Sequence, residues 1–168
     1  SNAGLVELRD EICRYLKRKY HLRYRNDEVL VSVGGSEGID VALRAIINPG
    51  DEVIVPQPSF VCYVPCVIMS DGVPVTVELK EENKFKLTRE QLEEAVTDKT
   101  KAIIMSFPNN PTGAIMTKKD LEPIADFAKE HDLIVISDEI YSELTYGHKH
   151  VSIGALPDMK ERTIVING

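Results

Sequence analysis

Hydrophobic and polar positions follow two rhythms along the chain, and the switches between them mark out its elements. Leu5, Leu8, Ile12, Tyr15 and Leu16 recur at three- and four-residue spacing with charges between them, which predicts an amphipathic helix over 5–20. Short β-branched runs then alternate with helical stretches. Strands are predicted over 29–33, 52–56, 73–79, 101–107, 133–137 and 163–166, and helices over 36–47, 60–69, 88–96 and 118–131. Thr88 followed by Gln91, and Thr117 followed by Asp120, have the spacing at which a hydroxyl caps the free amides of a helix start. Asn48-Pro49-Gly50-Asp51 is one of the joints that stop a helix and turn the chain into the next strand.

Strands this apolar are buried on both faces, and their alternation with helices implies a mostly parallel sheet in an α/β fold, a three-layer α/β/α sandwich. A chain of 168 residues with 43% hydrophobic content encloses one core, either a single domain or one lobe of a larger enzyme. No internal repeat or low-complexity tract interrupts it. The final Asn167-Gly168 reads as the start of a loop that continues beyond the chain, and Ser1-Asn2-Ala3 suits either a tag remnant or a natural start.

Composition changes this picture mainly by exclusion. A formal net charge of -7, with both signs interspersed, leaves no basic face for nucleic acid. No apolar run approaches the roughly 20 residues that span a bilayer, and no secretory leader is visible, so the expectation is a cytoplasmic protein with no membrane partner. Cys13, Cys62 and Cys66 include no C-x-x-C pair, so neither a disulfide framework nor a zinc site is indicated; Cys62 and Cys66 read as buried thiols on one helix face. His131 reads as the basic end of a helix and His148 and His150 as members of a polar loop, with no metal site expected.

Open parallel sheets bind ligands outside the carboxyl ends of their strands, and four stretches fall there. Gly34-Gly35-Ser36-Glu37 precedes a helix whose free amides and dipole suit a phosphate, or it is a glycine turn with Ser36 as the cap. Pro56-Gln57-Pro58-Ser59-Phe60 is stiffened by prolines, and Phe60 is either a flat wall against a planar ring or a core residue. Phe107-Pro108-Asn109-Asn110-Pro111-Thr112-Gly113 specifies a rigid turn that either aims an amide at a ligand or closes a local Asx turn. Ser137-Asp138-Glu139-Ile140-Tyr141 puts a carboxylate at a strand end, able to hold a protonated ring nitrogen or to cap a helix, with Tyr141 one helical turn on.

These stretches, spelled Val-Gly-Gly-Ser-Glu-Gly, Asn-Pro-Gly-Asp-Glu-Val, Asn-Asn-Pro-Thr-Gly, Ser-Asp-Glu-Ile-Tyr and Thr-Ile-Val-Ile-Asn-Gly, together resemble the class I/II aminotransferases, a family of fold-type I pyridoxal-phosphate enzymes. The resemblance covers essentially the whole chain. It implies pyridoxal 5'-phosphate as cofactor, with Gly35, Ser36 and Glu37 around its phosphate, Phe60 stacked on its ring, Asn110 and Tyr141 on its phenolic oxygen and Asp138 on its pyridinium nitrogen. It also implies ping-pong transfer of an amino group between an amino acid and a 2-oxo acid in a homodimeric parent enzyme. Residues 1–168 would be the central part of the large domain, with the N-terminal arm, the Schiff-base lysine and the small domain outside them, so no catalytic residue is expected within the chain and the fragment alone is expected to be inactive. The same scaffold serves carbon–sulfur β-lyases and aminotransferase-like regulatory domains. A dinucleotide-binding module is disfavoured because G-x-G-x-x-G is absent after the first strand.

Overall fold

The computed structural model describes residues 2–168; Ser1, where the Ser1-Asn2-Ala3 reading begins, lies outside the described residues. The first helix, α1 (Val6–Tyr20), has Glu7 in its first turn and Lys17, Arg18 and Lys19 in its last, so its side chains oppose its dipole at both ends. It stops at His21, whose left-handed backbone returns an N–H to the Leu16 carbonyl. Thereafter the order is α2 (Gly34–Ile46), β1 (Glu52–Gln57), α3 (Tyr63–Met69), β2 (Val73–Glu78), α4 (Arg89–Ala95), β3 (Thr100–Ser106), α5 (Lys118–Glu130), β4 (Ile134–Asp138) and β5 (Thr163–Ile166). Both expected helix starts are capped. Thr88 and Gln91 exchange side-chain and backbone hydrogen bonds, and Asp120 accepts from the Thr117 N–H and hydroxyl at 2.8 and 2.7 Å.

One expected strand does not form. Residues 29–33 run extended into α2 without joining the sheet, and Val33 is 89% exposed. A β-branched run is competent to pair, but pairing also needs an open edge alongside, and here the Val31 N–H meets only the Ala3 carbonyl.

The five strands form one parallel sheet in the order β2-β1-β3-β4-β5. Each strand alternates its side chains between two cores, as the period of two requires. On one face Val53, Val55, Ala102, Ile104 and Ile136 pack against Ile39 and Leu43 of α2 and Tyr63 and Val67 of α3. On the other, Ile54, Ile103, Met105 and Val135 pack against Leu92 of α4 and Ile124, Phe127 and Ala128 of α5. This is the three-layer sandwich, with α1 added beside β5 through Leu16, Tyr20, Leu22 and Val165. The chain leaves β1 in one direction to reach β2 and returns on the opposite side of β1 to lay down β3. A crevice at the carboxyl ends of β1 and β3 follows from that reversal.

Candidate functional site

The crevice is bridged where the topology opens it. Asn109, in the loop after β3, donates from its amide to the Pro58 carbonyl in the loop after β1 at 3.3 Å. Its amide oxygen accepts from the Thr112 N–H and hydroxyl at 3.2 and 2.8 Å, closing the Asx turn. Asn109 therefore takes the structural part, which leaves the next amide, Asn110, half-buried and without a hydrogen bond among the described residues. In the loop after β1, the Ser59 N–H donates to the Gln57 side chain at 3.2 Å, and Phe60 stays 37% exposed with its ring 6.0 Å from that of Tyr63, edge to face.

Asp138 ends β4 and points toward the α2/α3 layer, where it is only 6% exposed. The Tyr63 hydroxyl donates to it at 2.7 Å and the Ile140 N–H at 3.2 Å. Burial pushes the Asp138 carboxyl above its ordinary value; these two donors pull the other way, and the neighbouring Glu139 adds to the rise. Burial together with the Asp138 charge raises the Tyr63 hydroxyl further from ionisation. The geometry is a carboxylate at the bottom of a crevice, held by a phenol and an amide, with no cationic side chain bonded to it among the described residues.

The amino end of α2 closes the third side. Its first-turn N–H groups have no carbonyl partners within the helix, and Gly34 opens it at φ 82°, a conformation that disfavours any side chain. Gly35 lies so close to the turn after β4 that a Cβ there would meet Ile140 at 3.4 Å and Ile166 at 3.5 Å. The Ser36 hydroxyl is within hydrogen-bonding reach of the Cys62 thiol, which burial raises above its ordinary value. Ser36 sits inside the first turn and is not the cap; Val33 holds that position, and the Glu37 carboxylate folds back to accept its N–H.

Contacts run from candidate residues to shared neighbours: Ser36 to Cys62, and Phe60 and Asp138 both to Tyr63, while a Cβ on Gly35 would touch Ile140. Tyr141 follows Ile140 in a turn, not a helix, and stands partly exposed with its hydroxyl unbonded among the described residues.

A family model described as aminotransferase class I and II matches residues 1–168. The chain belongs to that family. It is 53% identical, over all of its length, to a putative aminotransferase YugH of Bacillus subtilis, and spans 44% of that protein. It is 49% identical to an aspartate aminotransferase of Pyrococcus abyssi, with 99% of this chain and 43% of the relative covered. Among solved structures, an aromatic aminotransferase from Pyrococcus horikoshii superposes with a TM-score of 0.98 at 47% identity, covering 99% of this chain and 45% of that one. The chain thus spans less than half the length of the aminotransferases it matches.

Sequence reasoning passed over three residues in or behind the crevice. Tyr63 lies in an apolar helical run and is core by every pattern; only its hydroxyl leaves the core, and nothing in the spacing marks it. Asn109 sits in the string that drew attention to Asn110, and the Asx reading that had been kept open belongs to it. His150 is not a loop residue in solvent: its side chain is buried and its Nε2 lies 2.8 Å from Glu139. Among the described residues no helix is long and apolar enough to cross a membrane.

Proposed function

We propose that residues 1–168 are the cofactor-holding core of an aminotransferase that uses pyridoxal 5'-phosphate to move an amino group between an amino acid and a 2-oxo acid. The observation that carries this is Asp138: a carboxylate buried at the strand end beside the switch point, pushed up by desolvation, with donors but no cation. A protonated ring nitrogen supplies the missing charge, so the residues present fit the cofactor.

When bound, pyridoxal phosphate supplies the electron sink for bonds broken at the substrate's amino-bearing carbon. The chain's residues make that sink effective. Asp138 holds the proton on the ring nitrogen, and Tyr63 and the Ile140 N–H keep its carboxylate aimed. Gly35, Ser36 and Glu37 offer first-turn amides to the phosphate, with the Ser36 hydroxyl beside them. Phe60 covers a ring face, and Asn110 and Tyr141, whose side chains make no hydrogen bond among the described residues, take the phenolic oxygen.

By resemblance to the family, the proton-moving lysine would come from a segment outside residues 1–168. Residues 1–168 are then the central part of the large domain of a homodimeric cytoplasmic enzyme. Aspartate and aromatic amino acids, named for its relatives, are the first donors to try.

The test uses the full-length protein with added pyridoxal phosphate, a panel of amino donors and a 2-oxo acid. The expected result is the absorption band of lysine-linked cofactor and stoichiometric amino transfer, with no turnover by residues 1–168 alone. Release of pyruvate and ammonia in place of transfer moves the enzyme to the carbon–sulfur lyases, and failure to bind the cofactor ends the reading.

A further inference from the structure

The geometry points to Glu139 and His150 as positioning residues that, together with Glu143, hold the Tyr141 turn and the Asp138 carboxylate in register with the crevice. The role rests on the cofactor reading above. Glu139 directly follows Asp138, and the period of two sends its side chain to the opposite face, into the α4/α5 layer beside Ser137. It is 1% exposed with both oxygens engaged: Oε1 accepts from the Ser137 and Ser152 hydroxyls at 2.9 and 2.7 Å, and Oε2 meets His150 Nε2 at 2.8 Å. Its N–H continues the ladder to the Ile166 carbonyl at 2.8 Å.

The Glu139 to His150 contact closes the base of a loop that contains Tyr141. A second set of bonds ties the same loop to α1. Glu143 accepts from Tyr15, Tyr20 and Lys19 at 2.5, 2.6 and 2.8 Å, and the Tyr20 and Ser142 hydroxyls pair at 2.9 Å. The Tyr20 ring then packs edge-on against His150 at 5.4 Å, so the two sets of bonds meet at one side chain. Tyr141 lies between the two tethered carboxylates. Apolar packing would serve stability as well as a buried polar pair does; what directional donors add is a defined orientation. Because Asp138 and Glu139 share a peptide unit and point opposite ways, a backbone rotation at that unit that carries Glu139 off its donors also swings Asp138.

In the full-length enzyme, His150→Phe keeps the ring that packs on Tyr20 and removes the bond to Glu139. We expect kcat to fall about 10- to 100-fold, the cost of a small misplacement at a reacting centre, while KM changes far less. Amide exchange over 140–149 should quicken while that of β3 is unchanged, and the absorption of bound pyridoxal phosphate should shift its pH midpoint. Should His150→Phe fail to fold, Glu143→Ala on the exposed side of the loop decides by the same readouts, and Glu143→Gln, whose amide oxygen still accepts the tyrosine hydroxyls, should restore them.

A parent enzyme that binds no pyridoxal phosphate overturns the cofactor reading and this role with it. A parent that binds it normally, alongside folded His150→Phe and Glu143→Ala variants unchanged in exchange, absorption and kcat, overturns the positioning role alone.

Discussion

Asp138 and Glu139 are neighbours at the end of the same strand, both buried, and the protein treats them in opposite ways. Glu139 faces three side-chain donors, one of them a histidine, and both oxygens of its carboxylate are engaged within the chain. Asp138 has one phenol and one amide, and burial drives its carboxyl upward. The difference separates a carboxylate whose bonds hold structure from one that, on the proposed reading, is left for a ligand. A carboxylate compensated from within gains little from a ligand, whereas one left short of a cation gains most of what burial took from it.

The sharpest way to break this contrast is at Glu139. Glu139→Ala strands His150 and two serine hydroxyls in the core, and unfolding free energy should drop by about 3–5 kcal/mol, the usual cost of halving a buried pair. Chemical denaturation measures it.

Asp138→Asn should do the reverse. Amino transfer by the full-length enzyme should fall at least about 10²-fold, as when a preorganised electrostatic group is lost, while the melting temperature without cofactor should hold or rise. The sign follows from the shift. A carboxyl raised above its ordinary 3.8 contributes stability that is whole below that value and is lost as pH rises through the raised one. The advantage of Asp138→Asn in a melt should therefore grow as pH climbs from about 4.

Tyr63→Phe tests the one side chain that steadies Asp138. Losing a hydrogen bond to a charged group should cost about 1.5–3 kcal/mol, and the Asp138 carboxyl, freed of that donor, should titrate higher still, which NMR can follow. A smaller effect is expected of Phe60→Ala, about 1 kcal/mol of cofactor affinity from the lost aromatic contact, read by titrating pyridoxal phosphate. The gentlest is a pH effect at Glu143, held down to about 2 by Lys19, Tyr15 and Tyr20. Its bonds to α1 contribute stability above its ordinary 4.5 that disappears as pH falls toward 2, so exchange at 140–149 should quicken in that window.

Most of the architecture was legible in the chain because a parallel sheet covered on both sides writes its strands as apolar runs and its joints in Pro, Gly and Asn. Residues 29–33 misled because propensity reports what a segment is able to pair with and not whether an edge is near. The candidate residues stand out in the sequence where chemistry interrupts pattern, and of these Asp138 is the one that the structure shows buried at a strand end. The crevice was illegible where chemistry hides inside pattern. Tyr63 obeys the helical apolar period while its hydroxyl does the work of a polar residue, and the partnership of Glu139 with His150 spans a loop whose path no local rhythm encodes.

The close approach of Gly35 to Ile140 and Ile166 has a consequence of scale. The Ile140 and Ile166 side chains stand at van der Waals distance from where a Gly35 Cβ would be, so the separation between the amino end of α2 and the turn after β4 is a gauge set by those two side chains. A molecule seated with its anion on the helix and its cation on Asp138 must match that gauge. Variety in what such a protein acts upon has to be written at other surfaces.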